Sequence, residues 1–185
     1  MIYFISDTHF NHDKEFIYVP RGFKSITESN ETIIRHWNKV VKPNDDIYVL
    51  GDFFLGTDLE SVKEILSRLK GKIHLIIGNH DTNAKLGIYR NTPNIVEVVW
   101  AKQIEYKGIK FYLSHYPTQT SNLNVAPKQA VYNLFGHTHS KSKFYQERPY
   151  MYNVAVDAHN NYPVSITQVM KDIDAKIKDC ISFLV

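Results

Sequence analysis

Asp7 and His9 stand one residue apart, as do His137 and His139, and between the two pairs lie Asp52, Asn79, His80, Asp81 and His115. In an extended chain, residues i and i+2 leave on the same face, about 7 Å apart along the backbone. His137 and His139 repeat the geometry of Asp7 and His9. Carboxylate, amide and imidazole groups are oxygen and nitrogen donors suited to divalent first-row metals, and no thiolate stands near them. The seven candidates Asp7, His9, Asp52, Asn79, His115, His137 and His139 are too many for one tetrahedral site and suit two ions sharing a carboxylate. Asp52, alone at its place in the chain, is the natural shared ligand. His80 has Asp81 as its neighbour, which could orient the ring and raise its proton affinity. That leaves His80 for proton donation.

The elements that must position these groups are short apolar runs, each ending in Asp, Asn or His. They are Ile2–Ile5 before Asp7, Ile47–Leu50 before Gly51-Asp52, and Ile73–Ile77 before Gly78-Asn79-His80-Asp81. Phe111–Leu113 before His115 and Tyr132–Phe135 before Gly136-His137 complete the set. Such runs read as buried strands opening into sharp loops, and strand ends of α/β proteins are where sites are built. Five of them ending this way exceeds what core packing alone requires.

Between the strands, residues 10–24 read as an irregular loop with Pro20 and Gly22. A helix spans about Ser29–Val41, with Ile33, Ile34, Trp37, Val40 and Val41 at helical spacing and Pro43 beyond. A second helix follows Asp58 as N-cap, carries Leu59, Val62, Ile65, Leu66 and Leu69, and stops at Gly71. This first half is β-α-β-α-β, implying a parallel sheet with right-handed crossovers. In the second half, Val96–Val99, Gln103–Tyr106, Lys110–Leu113, Val131–Phe135 and Met151–Val156 read as strands, with a hairpin at Lys107-Gly108. Residues 118–127 form a polar loop. Thr167 caps a closing helix striped by Met170, Ile173, Ile177, Cys180, Ile181 and Leu184. The economical architecture is α/β: two sheets packed face to face with helices outside, in one domain over residues 1–185.

Composition bounds the function. The chain has 185 residues, 43% hydrophobic, which suffices for one domain with a substantial core. A formal net charge of +3 is too mild to announce a nucleic-acid binder. The single cysteine, Cys180, excludes an internal disulfide and fits a reducing compartment. With no apolar stretch of membrane-spanning length and a candidate ligand already at position 7, a cytoplasmic location is expected.

Plainer readings apply to other polar residues. His74, alternating with apolar neighbours in a strand, and His36, on the first helix, read as packed or solvated side chains. Asp58 reads as a helix cap. His12, Asp157 and His159 each follow a strand, with nothing to set their direction.

The motifs Asp7-Thr8-His9, Gly51-Asp52, Gly78-Asn79-His80-Asp81, His115 and Gly136-His137-Thr138-His139 together resemble the calcineurin-like metallophosphoesterases. The resemblance covers essentially the whole chain. It implies an α/β/β/α sandwich of two mixed sheets, with one metal held by Asp7, His9, Asp52 and His139 and the other by Asp52, Asn79, His115 and His137. It implies two divalent ions, manganese first and iron, zinc, nickel or cobalt as substitutes. A narrower likeness, carried by Asp-Thr-His-Phe, Arg21-Gly22-Phe23, Trp37-Asn38, His115-Tyr116-Pro117 and Val156-Asp157…Tyr162-Pro163-Val164-Ser165, is to a small branch of bacteria and phages. Gly22, where proline is expected, and the loop 118–127 depart from that branch at the substrate rim.

The expected activity is hydrolysis of a phosphate ester, mono- or diester, on a small phosphorylated or nucleotide-like substrate. Two ions activate water for in-line attack, and His80 protonates the leaving oxygen. Arg21, His12 and Lys141 are expected, from loop position alone, to contact the phosphate. The alternatives are a binding scaffold of the same fold, which a missing ligand would favour, and a nuclease, which the absence of a basic run disfavours.

Overall fold

A computed structural model describes residues 1–56, 58–121, 126 and 129–182. Two mixed sheets lie at its centre. The first contains β1 (Ile2–Ile5), β2 (Asp46–Leu50), β3 (Lys72–Ile76), β4 (Ile95–Val99) and β9 (Val164–Ser165), in the order β4-β3-β2-β1-β9. β1 to β4 are parallel, as their helical crossovers require, and only β9 runs antiparallel. The second contains β5 (Ala101–Tyr106), β6 (Ile109–Ser114), β7 (Val131–Phe135) and β8 (Met151–Asn153), in that order. β5 and β6 form the antiparallel hairpin, turning at Lys107 and Gly108 with φ of 52° and 78°; β6, β7 and β8 are parallel.

Alternation along the strands divides the core in two. Ile5, Ile47, Val49, Ile73 and Leu75 face α2 (Ile26–Val40), α3 (Leu59–Arg68) and α4 (Asn83–Arg90), packing on Ile33, Trp37, Val62, Ile65, Leu86 and Tyr89. Phe4, Tyr48, Leu50 and Ile76 point the other way, into a second cluster with Phe111, Leu113, Tyr132 and Leu134 of the facing sheet. α5 (Ile166–Ser182) closes that cluster with Ile166, Val169 and Ile173. The stripe positions Ile181 and Leu184 lie outside the described side chains. The faces that meet a neighbour are thus mainly apolar, the partly buried His74 and Glu97 beside Tyr48 being a polar exception, and the polar strand ends collect at one edge.

Several boundaries differ from the sequence reading, each for a local reason. α2 begins three residues earlier, because Ser25 caps it through the Glu28 N–H at 3.1 Å while Glu28 reaches back to the Lys24 N–H. α5 is capped by Ser165 from the Gln168 N–H, not by Thr167. The expected strand to Val156 ends at Asn153 and passes into a 3-10 turn over Val156–Ala158. β4 belongs to the first sheet, extending the parallel set. α4 has no counterpart in the sequence reading: it is eight residues long, is interrupted by Gly87, and buries only Lys85, Leu86 and Tyr89. The loop 10–24 contains the short helix α1 (Glu15–Tyr18) and a 3-10 turn at Val19–Arg21. Of the loop 118–127, residues 118–121 run beside β7, with Thr118 N–H on Asn133 Oδ1 and Thr120 Oγ1 on Val131 O; positions 122–125 and 127 lie outside the described residues. His36 stacks on Tyr162, and His74 lies between Asp46 and Glu97 against the Tyr48 ring, so both are structural.

Candidate metal centre

The carboxyl ends of β1, β2 and β3 and the exits of β6 and β7 converge on one edge of the sandwich. Beyond β1 and β2 the two chains keep pairing irregularly: Asp7 N–H donates to Gly51 O, His9 N–H to Asp52 O and Phe10 N–H to Phe53 O, at 3.0–3.1 Å. The backbone is held there in an unusual conformation. Asp7, His9, Asp52, His137 and His139 have φ of 55°, 47°, 52°, 67° and 50°, the left-handed region in which a β-carbon is crowded. Such residues cost on the order of 1–3 kcal/mol each and persist only where surroundings impose them. Here the strained positions fall on five of the seven expected ligands.

Two groups of donors result. In the first, His9 Nε2 is 3.9 Å and His139 Nε2 is 3.8 Å from Asp7 Oδ1. The second brings together Asp52, His115 and His137, with Asn79 Oδ1 2.9 Å from His115 Nε2 and 3.0 Å from His137 Nδ1. Asp52 Oδ2 stands between the groups, 3.7 Å from His9 Nε2 and 3.5 Å from His115 Nε2. One carboxylate oxygen is therefore within reach of both.

These atoms fit divalent cations. Asp7 Oδ1 and His9 Nε2 are buried and have no hydrogen-bond partner. Orphaned buried lone pairs are costly unless something compensates them. Separations of 3.7–3.9 Å are too long for hydrogen bonds and match donors sharing an ion at about 2.0–2.2 Å. Tautomers agree as well. Leu50 O accepts from His115 Nδ1 at 2.8 Å, leaving Nε2 as the ligand atom, and Asp157 Oδ2 accepts from His139 Nδ1 at 3.2 Å with the same consequence.

Electrostatics set the protonation states. Burial, reinforced by His139, holds His9 down at about 3, so its imidazole is neutral and can donate a lone pair. Burial alone would raise Asp52, but the hydrogen bond and charge that His115 offers when both its ring nitrogens are protonated, together with the His80 N–H, outweigh it and bring it to about 2. Burial pushes Asp7 up, a cost that a cation at Oδ1 would offset.

Behind the ligands lie residues whose roles the sequence reading assigned differently. Arg21 is not a phosphate contact: its side chain is 2% exposed. Nε and Nη2 grip Asp157 at 2.9 and 3.0 Å, Nη2 also donates to Asp7 O at 2.9 Å, and Nη1 to Thr8 O at 3.2 Å. Asp157, whose direction was open, thus orients His139 and is itself fixed by Arg21. Asp81 does not orient His80. Its buried carboxylate accepts from the backbone N–H of Asp52, Phe53 and Gly78 and from Tyr89 Oη, so it ties the β2 and β3 exits together. The neighbouring loops meet so closely that a β-carbon on Gly136 would lie 2.0 Å from Ser6 Oγ and 2.3 Å from Asp7 Oδ2. Lys85, buried in α4, donates to the carbonyls of Phe54 and His80. No sequence signal pointed to it.

His80 is exposed at the mouth. Its N–H donates to Asp52 Oδ1 at 2.8 Å and its ring sits 5.6 Å from that of His9. His12 stacks obliquely on His9 at 5.3 Å. Lys141 is exposed on the loop after His139.

Comparison with known proteins bears on this geometry. Residues 1–162 match the Calcineurin-like phosphoesterase superfamily domain. The chain is 35% identical to an uncharacterized protein of Methanocaldococcus jannaschii over 178 residues, covering 94% of this chain and 91% of that one. It is 30% identical over 100 residues to the Gene 66 protein of Mycobacterium phage L5, covering 53% and 47%. A protein of unknown function from Aquifex aeolicus has a similar structure, with TM-score 0.72 and 28% identity over 92% of this chain and 98% of that one. The chain belongs to the calcineurin-like phosphoesterase superfamily.

Proposed function

We propose that this chain hydrolyses phosphate esters of small, nucleotide-like molecules in a reaction that depends on two divalent ions, manganese foremost. The observation that carries this reading is the meeting of two donor groups on one oxygen of Asp52, with the ligand atoms of Asp7 and His9 buried and unpartnered. Asp7, His9, Asp52 and His139 would hold one ion, and Asp52, Asn79, His115 and His137 the other. When bound, such a pair supplies Lewis-acid polarisation of phosphoryl oxygens and activation of a water nucleophile.

The chain's own groups do the rest. Arg21 and Asp157 keep His139 in the ligating tautomer, and Asp81 fixes the loop spacing that brings Asp52 beside Asn79. His80, exposed beside His9 with its backbone anchored on Asp52 and Lys85, donates a proton to the departing oxygen. His12, whose ring lies 5.3 Å from that of His9, would hydrogen-bond a bound substrate. No protein nucleophile is required.

A binding scaffold of this fold is the rival reading. The completeness of the donor set and the exposed His80 favour catalysis. The test is turnover of aryl and alkyl phosphate mono- and diesters by protein stripped with chelator and reloaded with manganese. His80→Ala should retain both metals and lose roughly 10²–10⁴-fold in rate on alkyl esters, with a smaller loss on nitrophenyl esters, whose leaving group departs unprotonated. Loss of a metal in His80→Ala, or a loss equal across leaving groups, would remove it as the acid. No turnover of any ester by metal-loaded protein would favour the scaffold.

A further inference from the structure

Two exposed aromatic rings border the metal centre beside opposite donor groups, Tyr116 in direct contact with ligand rings and Phe16 one imidazole further out, through His12. Phe16, on α1, is 70% exposed while its neighbours Ile17 and Tyr18 are buried and anchor the helix. Its ring meets His12 edge-on at 5.5 Å, and His12 meets the ligand His9 at 5.3 Å. Tyr116, directly after the ligand His115, is 51% exposed. Its ring is 4.6 Å from His137 and 5.1 Å from His115, and its backbone carbonyl is pinned by the hydroxyls of Ser114 and Thr118. Trp100, also exposed, lies one residue before the Ala101–Ser114 pair, on the Tyr116 side. Single exposed apolar residues are ordinary. What is specific here is that one ring extends each donor group outward, at a spacing typical of ring–ring contact.

We propose that Phe16 and Tyr116 are two stacking platforms, and that the substrate is a phosphodiester with a nucleobase-bearing group on each side of the phosphorus. The proposal rests on the phosphoesterase reading and narrows it from any ester to a diester of the linear dinucleotide class. The platforms differ in role. His80 adjoins His9, on which His12 and then Phe16 also build, so the group that departs with the His80 proton lies on Phe16. The retained group lies on Tyr116. A base on an aromatic ring needs no sequence-specific hydrogen bonds, which fits a rim without a strong basic run.

The test uses full-length, manganese-loaded protein and the mixed diester adenosine 5′-(methyl phosphate). Attack of water with cleavage of the phosphorus–O5′ bond gives adenosine and methyl phosphate. Cleavage of the methoxy bond gives adenosine 5′-phosphate and methanol. In each case the water oxygen stays on phosphorus and the departing alkoxide takes one proton, and the two alkoxides are of similar basicity. A base on Phe16 therefore releases adenosine, and a base on Tyr116 releases methanol. Phe16→Ala should lower the ratio of adenosine to adenosine 5′-phosphate by roughly 5- to 100-fold, the range carried by loss of one base–aromatic stack, and Tyr116→Ala should raise it comparably. A ratio unmoved by both, or moved the same way by both, overturns the proposal. Calorimetry of the same metal-loaded protein with adenosine 5′-phosphate and ribose 5-phosphate gives a second reading. The base should tighten binding by at least about fivefold, and equal binding would overturn the platforms. Base-dependent binding without hydrolysis of any ester would sink the phosphoesterase reading and leave the platforms standing. Hydrolysis without base dependence would do the reverse.

Discussion

Replacing Asp81 by asparagine should unfold the site without touching proton transfer. Asp81 Oδ2 accepts from the N–H groups of Asp52 and Gly78 at 3.0 and 2.9 Å, and Oδ1 from the Phe53 N–H and Tyr89 Oη at 3.3 and 3.2 Å. An asparagine has one oxygen for these two roles. With its oxygen toward Asp52 and Gly78, its amide faces the Phe53 N–H, donor against donor, while Tyr89 can turn to accept. The opposite flip faces two N–H groups. The better arrangement still strands one buried donor, at about 1–3 kcal/mol, and turns charge-assisted bonds into neutral ones. A total of roughly 2–5 kcal/mol follows, which for a domain of this size lowers Tm by roughly 5–15 °C. Differential scanning calorimetry reads this directly, and rate against leaving-group pKa reads the chemistry. The expected result is a lower Tm with the wild-type leaving-group dependence retained in the folded fraction. An unchanged Tm with a selective loss on basic leaving groups would refute the clamp and make Asp81 the partner of the His80 ring.

Other outcomes follow from the same geometry. Asp157→Asn, which loosens His139, should lower affinity for one of two ions by roughly 10–100-fold, read by elemental analysis across a chelator series; equal loss of both would refute its one-sided placement. Asp52→Asn should deplete both ions, and undiminished two-metal content would refute the shared position. Gly136→Ala has no room for its methyl beside Ser6 and Asp7, so it should express poorly or melt well below wild type; normal stability would show that the loops can part. Asp172 binds Tyr152 Oη and Lys143 and ties α5 to β8. Burial would raise its carboxyl, but Tyr152, Lys143 and Gln168 outweigh that and hold it below the usual carboxylate value. Its contribution is therefore present above the unfolded value of about 3.9 and lost as pH falls through the lower folded one. Asp172→Asn should be less stable than wild type at pH 6, and the gap should narrow near pH 3; a gap independent of pH would refute the sign.

How much of this was legible beforehand differs by element. Asp7, His9, Asp52, Asn79, His115, His137 and His139 could be picked out because ligand chemistry restricts residue type and because each follows an apolar strand. The same-face spacing expected of His137 and His139 did not hold, since both lie beyond β7 in left-handed backbone and point into different donor groups. Helices such as α2 and α3 were legible from apolar spacing and from caps such as Asp58, both local properties. What lay beyond the sequence depends on contacts distant along the chain. Arg21 and Asp157 meet across 136 positions, and nothing near either one says that a guanidinium will be buried against a ligand's carboxylate partner. Asp81 sits beside His80 in sequence, but the strand exit sends its carboxylate inward to Asp52, Phe53 and Tyr89. Adjacency along a chain says little about direction once a turn intervenes. The left-handed backbone at five ligands is likewise a tertiary result, since Asp and His do not choose φ near +50° unless the surrounding loops impose it. Residue type decided which chemistry was possible, and long-range packing decided which side chains face it.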